Sequence, residues 1–294
     1  MSDELRLQLS DEHHLEWTRH TYSARSCELV LKRVVDPKAG SALALADSFY
    51  EWEKATIWIR NYLCAAAEQL CLWADVIAPY QLHPDAKNEV RPRPYLLLAR
   101  AGLEAAAHAL WLVEVPTAVE CAQRHIRLMH RDFNLHRAAL LAGGLDTARI
   151  DKRIADLESR CAGLTIATAP KEKPPGYERL VRHAATATKH DADRWSYLWN
   201  AASGAAHGQN WFGIEAFELL TVDEYEPGYF RTIAFPDPMF ITETVGAACS
   251  TLQWGTLRWL QMGGHDPKLL QQATREVFER MPKKKGASEN LEEM

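Results

Sequence analysis

The stretch Pro92-Arg-Pro-Tyr-Leu-Leu-Leu-Ala-Arg-Ala-Gly-Leu-Glu-Ala-Ala-Ala-His-Ala-Leu-Trp-Leu-Val113 decides the fold class. Leucine and alanine are strong helix formers, Pro94 falls in the first turn where proline is tolerated, and Pro116 stands just beyond the end. The prediction is a helix over 92–113. Ala101, Ala105, Ala106 and Ala109 leave little bulk on its adjoining faces, so neighbours can approach from several sides. Arg100, Glu104 and His108 interrupt this apolar run at i, i+4 and i+8, which lines them up along the helix. Two readings follow. In one, the stripe is solvated and Arg100 and Glu104 form a helical ion pair worth a few tenths of a kcal/mol. In the other it is an inward polar line facing a neighbouring helix, where a buried arginine and glutamate need each other and further partners.

Working outward, most of the chain carries helical periodicity. Ser41 to Ala78 tracks one broad stripe through Leu45, Phe49, Trp52, Ile59, Leu63, Ala67 and Leu70, predicting one long helix ended by Pro79. Thr117 to Leu141 predicts a helix stopped by Gly143-Gly144, and Asp146 to Ala162 another. The proline-rich connector 169–176 precedes a helix near Tyr177 to Lys189 and a further one carrying Asn200, Ser203 and His207. After Gly208 the period changes. Trp211 to Val222 and Tyr229 to Phe235, around Glu226-Pro227-Gly228, suit a short β-hairpin or an extended excursion. Pro238 to Met262 returns to a helix, and Asp266-Pro267 opens a last one to about Met281. Residues 1–40 read as a polar N-terminal segment, with a solvated helix bearing His13, His14 and His20 and a break at Asp36-Pro37. Residues 282–294, with Lys283-Lys-Lys285, read as a disordered tail. The expected architecture is mainly α: a single helical bundle over 41–281, with the hairpin before the last long helices.

Composition narrows the function. A net charge of −5 and a pI near 6.2 argue against indiscriminate coating of nucleic acid, which rests on summed lysine and arginine contacts to phosphate. The acidic start and the lack of about 18 uninterrupted apolar residues lead us to expect a cytoplasmic protein without a membrane span. Six cysteines without Cys-x-x-Cys spacing read as small core residues, and no zinc-ligand pattern is present. Eight of the ten tryptophans, Trp52 among them, fall in helical patterns and read as core. Without a glycine-rich phosphate loop, neither a nucleotide cradle nor any other cofactor is expected.

The stretch Tyr197-Leu-Trp-Asn-Ala-Ala-Ser-Gly-Ala-Ala-His-Gly-Gln-Asn-Trp211 carries the candidate chemistry. Asn200, Ser203 and His207 recur at i, i+3 and i+7 and share a helical face. Gly208 is a natural left-handed cap, placing His207 at the helix end, where unpaired carbonyls favour an imidazolium. The bland alternatives are a capping histidine and a small-residue patch, Ala202-Ser203-Gly204, that admits another helix.

Arg100-x-x-x-Glu104 in an alanine-rich helix, Ser203-x-x-x-His207 followed by glycine, an extended excursion and a terminal helix together resemble uncharacterised bacterial proteins related to the HEPN (higher eukaryotes and prokaryotes nucleotide-binding) superfamily, over roughly Ser41 to Met262. The resemblance implies a helical bundle, often dimeric, acting as a metal-independent ribonuclease in toxin or RNA-processing systems or as a non-catalytic binding module. It makes His207 the counterpart of the superfamily's histidine. One departure stands out: the superfamily's arginine four to six residues before that histidine is missing, since Trp199 to Ala206 contains none. Arg194 lies more than three helical turns from His207, which leaves Arg100 to supply charge from another helix. RNA cleavage without metal needs a base, an acid and positive charge for the transition state. The expected set is therefore His207, Arg100, Glu104 and Ser203, flanked by Asn200 and His108, in a homodimeric ribonuclease or toxin-like effector acting on RNA or a nucleotide. The alternative is a non-catalytic interaction or small-ligand-binding protein. Geometry separates the two: convergence in a solvent-connected cleft supports a site, and a mutually satisfied cluster supports architecture.

Overall fold

Five of the eleven described helices begin where a side chain accepts amide protons that a first turn leaves free, at Ser10, Ser41, Thr117, Asp191 and Asp237. The structure, a computed structural model, describes residues 9–81 and 90–282. In chain order it holds α1 (Asp11–Arg33), α2 (Ala42–Phe49), α3 (Ala55–Ile77), α4 (Pro92–Val113), α5 (Ala118–Ala142), α6 (Ala148–Cys161), α7 (Tyr177–Ala187), α8 (Ala192–Ala206) and α9 (Asn210–Glu215). The hairpin β1 (Phe217–Glu226) and β2 (Tyr229–Pro236) follows, then α10 (Pro238–Met262) and α11 (Lys268–Arg280). The fold is mainly α, with the short hairpin before the last helices. The tail expected at 282–294 lies, from residue 283 on, outside the described residues.

At the centre is α4. Its residues from Ala106 to Val113 are buried on every face, enclosed mainly by α10 and α3, with α8, α7 and α5 around them. Small residues allow this close approach. A Cβ on Gly102 would stand 3.0 Å from Leu70 on α3, and one on Gly255 of α10 would stand 2.9 Å from Leu63. By length and composition α4 is the one described helix apolar enough to cross a membrane, yet about two thirds of that window is buried inside the bundle. A smaller core of Tyr50, Ile126, Met129, Phe133, Ile150, Leu157 and Cys161 joins α5 and α6 to the turn after α2. All six cysteines are free, five of them buried, and burial pushes the thiols of Cys27, Cys71 and Cys121 up to about 12.

Four expectations are corrected. The single helix expected over 41–78 is two, because the Asp47 carboxylate accepts from the Thr56 amide at 3.0 Å and its hydroxyl at 2.6 Å, capping α3 and turning the chain through residues 50–54. Trp52 lies in that turn and is exposed rather than core. The excursion expected from Trp211 begins instead as the short helix α9, and β1 starts at Phe217. Finally, α1 is no solvated appendage. Trp17, Thr21, Ala24, Cys27, Val30 and Leu31 are buried in the main core, Trp17 meets Trp73 edge-on at 6.1 Å, and its indole N–H donates to Thr242 Oγ1 at 2.7 Å. Of the histidines placed on its outer face, His13 belongs to the N-cap, its Nδ1 lying 2.8 Å from Ser10 Oγ.

Candidate functional site

The polar line on α4 faces inward and is closed on itself. Glu104 Oε1 accepts from Arg100 Nε at 2.9 Å and from Trp199 Nε1 of α8 at 2.7 Å, and the Arg100 guanidinium lies 5.5 Å from the Trp199 ring centre. Both charged side chains are about one fifth exposed. One turn on, His108 is buried. Its Nδ1 is 2.7 Å from the Glu104 carbonyl, which can only accept, so Nδ1 carries the proton and Nε2 accepts from Arg131 of α5 at 2.6 Å. Burial, with the Arg131 charge adding to it, holds this imidazole neutral with a pKa of about 4. Tyr62 of α3 stacks on the ring at 5.0 Å, Tyr177 of α7 meets it edge-on at 5.4 Å, and burial pushes the Tyr62 phenol up to about 12. A second Arg131 nitrogen donates to the Pro175 carbonyl. Both ring nitrogens of His108 are therefore committed, and no lone pair is left for a substrate proton.

His207 lies elsewhere. It is the C-cap of α8, with its amide on the Ser203 carbonyl at 3.0 Å and its side chain exposed. Gly208 follows with φ +66°, and Gln209 N reaches the Gly204 carbonyl at 2.9 Å, closing a Schellman turn. The left-handed cap read from the sequence is thus present. Ser203 is half-buried, and Asn200 is exposed with its amide donating to the Ser196 carbonyl at 3.0 Å. Among the described residues His207 makes no hydrogen bond or ion pair with Arg100, Glu104 or the Ser203 hydroxyl. The small-residue patch admits not a helix but the Trp211 ring, which a Cβ on Gly204 would meet at 2.8 Å.

The structure thus joins Arg100, Glu104 and His108 and leaves Asn200, Ser203 and His207 at the solvent end of α8. No family model, curated protein or solved structure matches the chain.

Three partners escaped the sequence reading. Arg131 and Trp199 complete the α4 line, and Arg93, in the first turn of α4, donates to the Ala205 carbonyl at 3.1 Å with its guanidinium over the Phe212 ring. Arg93, rather than Arg100, is the cation beside the end of α8. All three stood in or beside helical patterns, but spacing within one helix says nothing about the helix opposite. Elsewhere, a cleft of about 430 Å³ between α1, α8 and α10 is lined by His20, His190, Arg194, Trp195 and Glu243, none of them in the expected set. There Arg194 Nε pairs with Glu243 at 3.0 Å, His190 stacks on Trp195 at 4.9 Å, and Asp191 caps α8. Among the described residues no three His, Cys, Asp or Glu side chains converge to hold a metal ion.

Proposed function

We propose that this chain is a non-catalytic helical interaction protein in which the polar line on α4 specifies how the helices pack. One observation carries the reading: the line is bonded in a chain, from Trp199 and Arg100 through Glu104 and His108 to Arg131, and His207 stands outside it. A catalytic imidazole keeps a nitrogen free to reach substrate, whereas both ring nitrogens of His108 are committed.

A second reading, the HEPN-like metal-independent ribonuclease, draws support from one contact. Arg93, held on the Ala205 carbonyl, brings a cation from another helix to within two residues of His207, next to the stretch of α8 in which the superfamily's arginine is missing. One experiment separates the two: incubation of a mixed RNA pool in EDTA with wild type, His207→Ala and Arg93→Ala, with melting followed in parallel. The interaction reading expects no cleavage by any of the three, and a melt of His207→Ala within about 0.5 kcal/mol of wild type because the ring is exposed. Cleavage by wild type that both substitutions abolish, with unchanged melts, would overturn it in favour of the ribonuclease.

A further inference from the structure

The net charge of the chain is concentrated in one element. Residues 215–237, which contain the hairpin, hold six acidic side chains and one basic one, Arg231, and so carry −5; the remaining 33 acidic and 33 basic residues cancel. The same element is apolar and uncovered. Every residue of β1 after Phe217 is exposed, β2 is exposed from Tyr229 to Thr232, and α9, at the root, is the one substantial neighbour among the described elements. A two-stranded hairpin is marginal in water without a further layer, and an exposed apolar surface on one element marks a contact site.

Hydrogen bonding separates the carboxylates already used from those left for a partner. Glu215 accepts from the Tyr197 hydroxyl at 2.8 Å, Asp223 from Arg231 at 3.0 Å, Glu224 from the Gly228 amide at 2.7 Å and Asp237 from the Met239 amide at 2.8 Å. Glu218 and Glu226 make no side-chain hydrogen bond or ion pair among the described residues. Directly opposed residues share a face, so Glu218 with Phe235, Leu220 with Ile233, Asp223 with Arg231 and Glu226 with Tyr229 all lie on one side of the hairpin. That side carries both free carboxylates, one near the root and one at the tip, about 25 Å apart at roughly 3.3 Å per residue. Leu220 and Ile233 lie between them, and Leu220 is 52% and Tyr229 61% exposed. On the opposite side, with Leu219 and Phe230, the one paired-register carboxylate is Glu224, already bonded to Gly228.

We propose that the Leu220 face of the hairpin docks a basic segment of another protein, one whose lysine or arginine side chains flank apolar residues. Charge and spacing select this occupant. A charge of −5 on the element repels nucleic acid and anionic lipid, and the hairpin of a second copy would bring the same unpaired carboxylates against these. Two carboxylates about 25 Å apart cannot close on one metal ion or small cation, whereas a polypeptide spans them and covers the apolar strip between. Because the rest of the chain is neutral overall, a cationic partner is also steered here. Exposed carboxylate to ammonium contacts are weak one by one, so the apolar strip supplies most of the affinity and the charges supply the choice of partner. The inference deepens the interaction reading by naming the chemistry of the partner, and rests on that reading.

The probes are three fluorescein-labelled synthetic peptides of equal length, alternating lysine with leucine, lysine with serine, and glutamate with leucine. Their binding to the full chain is followed by fluorescence anisotropy, with helical melts of every variant. Glu218→Gln/Glu226→Gln and Leu220→Ser alter the proposed face; Leu219→Ser alters the opposite one, and Glu68→Gln/Glu279→Gln removes two exposed carboxylates from α3 and α11. The lysine/leucine peptide should bind wild type and both controls alike, the Glu218 and Glu226 double variant about fivefold more weakly, and Leu220→Ser about tenfold more weakly, with matching melts. The lysine/serine peptide should bind wild type more weakly, and the glutamate/leucine peptide not at all. No binding of the lysine/leucine peptide, equal weakening by the controls, hairpin variants as tight as wild type, or equal binding of the glutamate/leucine peptide would overturn the proposal. So would a wild-type dimer in sedimentation velocity that Leu220→Ser dissociates, which would give the face to a second copy. Failed peptide binding leaves the bonded α4 line and the interaction reading in place, whereas RNA cleavage would remove that reading and leave the docking face, so the two failures are told apart.

Discussion

Replacing His108 with glutamine tests whether the polar line is architecture. The unfolded chain binds a proton on this imidazole below about 6.5, and the folded protein only below about 4, because charging it means charging a buried ring already accepting from Arg131. Between those values the unfolded state holds more protons, so stability is fully present above 6.5 and is lost as pH falls toward 4. Each pH unit in that window costs about 1.4 kcal/mol, about 3 kcal/mol in all. His125, buried with Nε2 on the Glu53 carbonyl and held at about 4 by the same desolvation, adds a parallel loss, so the difference between two proteins is what isolates His108. Glutamine does not titrate and still offers Arg131 an acceptor. Urea unfolding of wild type and His108→Gln between about pH 7 and about pH 4.5 should show the wild type losing about 2–3 kcal/mol more than the variant over that range. Equal pH profiles for the two proteins, or an imidazole that titrates near 6.5 in the folded state, would refute the reasoning and return His108 to the candidates for proton transfer.

Asp47→Ala should cost about 1–2 kcal/mol in urea unfolding, since both acceptors for Thr56 at the start of α3 are lost together. Thr242→Val leaves the buried Trp17 indole N–H without its acceptor and should cost about 1–3 kcal/mol with little change of shape. Gly204→Ala puts a methyl where the Trp211 ring lies; the expected readout is a change in tryptophan emission with a stability change under about 1 kcal/mol, because Trp211 is 40% exposed. For the ion pair on α4, Arg100→Met, Glu104→Leu and the double variant form a cycle whose coupling should reach about 1 kcal/mol, above the few tenths of a solvated helical pair; a coupling near zero would restore the surface stripe.

The features legible in the sequence were those written locally. Pro94 and Pro116 bracket α4, Gly144 and Gly208 take the positive φ that ends α5 and α8, and Pro227-Gly228 with φ +80° at the glycine makes the hairpin turn. What failed was non-local or diluted. The break after α2 depends on Asp47 reaching Thr56 nine residues on, inside a run whose apolar period continues unbroken. The buried stripe of α1 is interleaved with polar residues, and even Arg25 is buried, bonded to Asp75 at 2.6 Å and set 4.0 Å from the Tyr80 ring centre. The partners of the candidate residues went unread for the same reason at longer range. The Glu104 to Trp199 bond spans 95 residues and the His108 to Arg131 contact joins helices that no spacing rule relates.

That distance explains why a central helix would keep three polar residues at all. The buried surfaces of α4 and α3 are mostly alanine, leucine and glycine, which fit one another in many rotations and axial shifts at nearly equal energy. A carboxylate that must meet a guanidinium on its own helix and an indole N–H on α8, and an imidazole that must meet Arg131 on α5, are each satisfied in one register only. Sliding α8 by one turn, about 5.4 Å, would strip Glu104 of Trp199 and pull the Ala205 carbonyl off Arg93 together. The polar line therefore selects one arrangement among apolar alternatives.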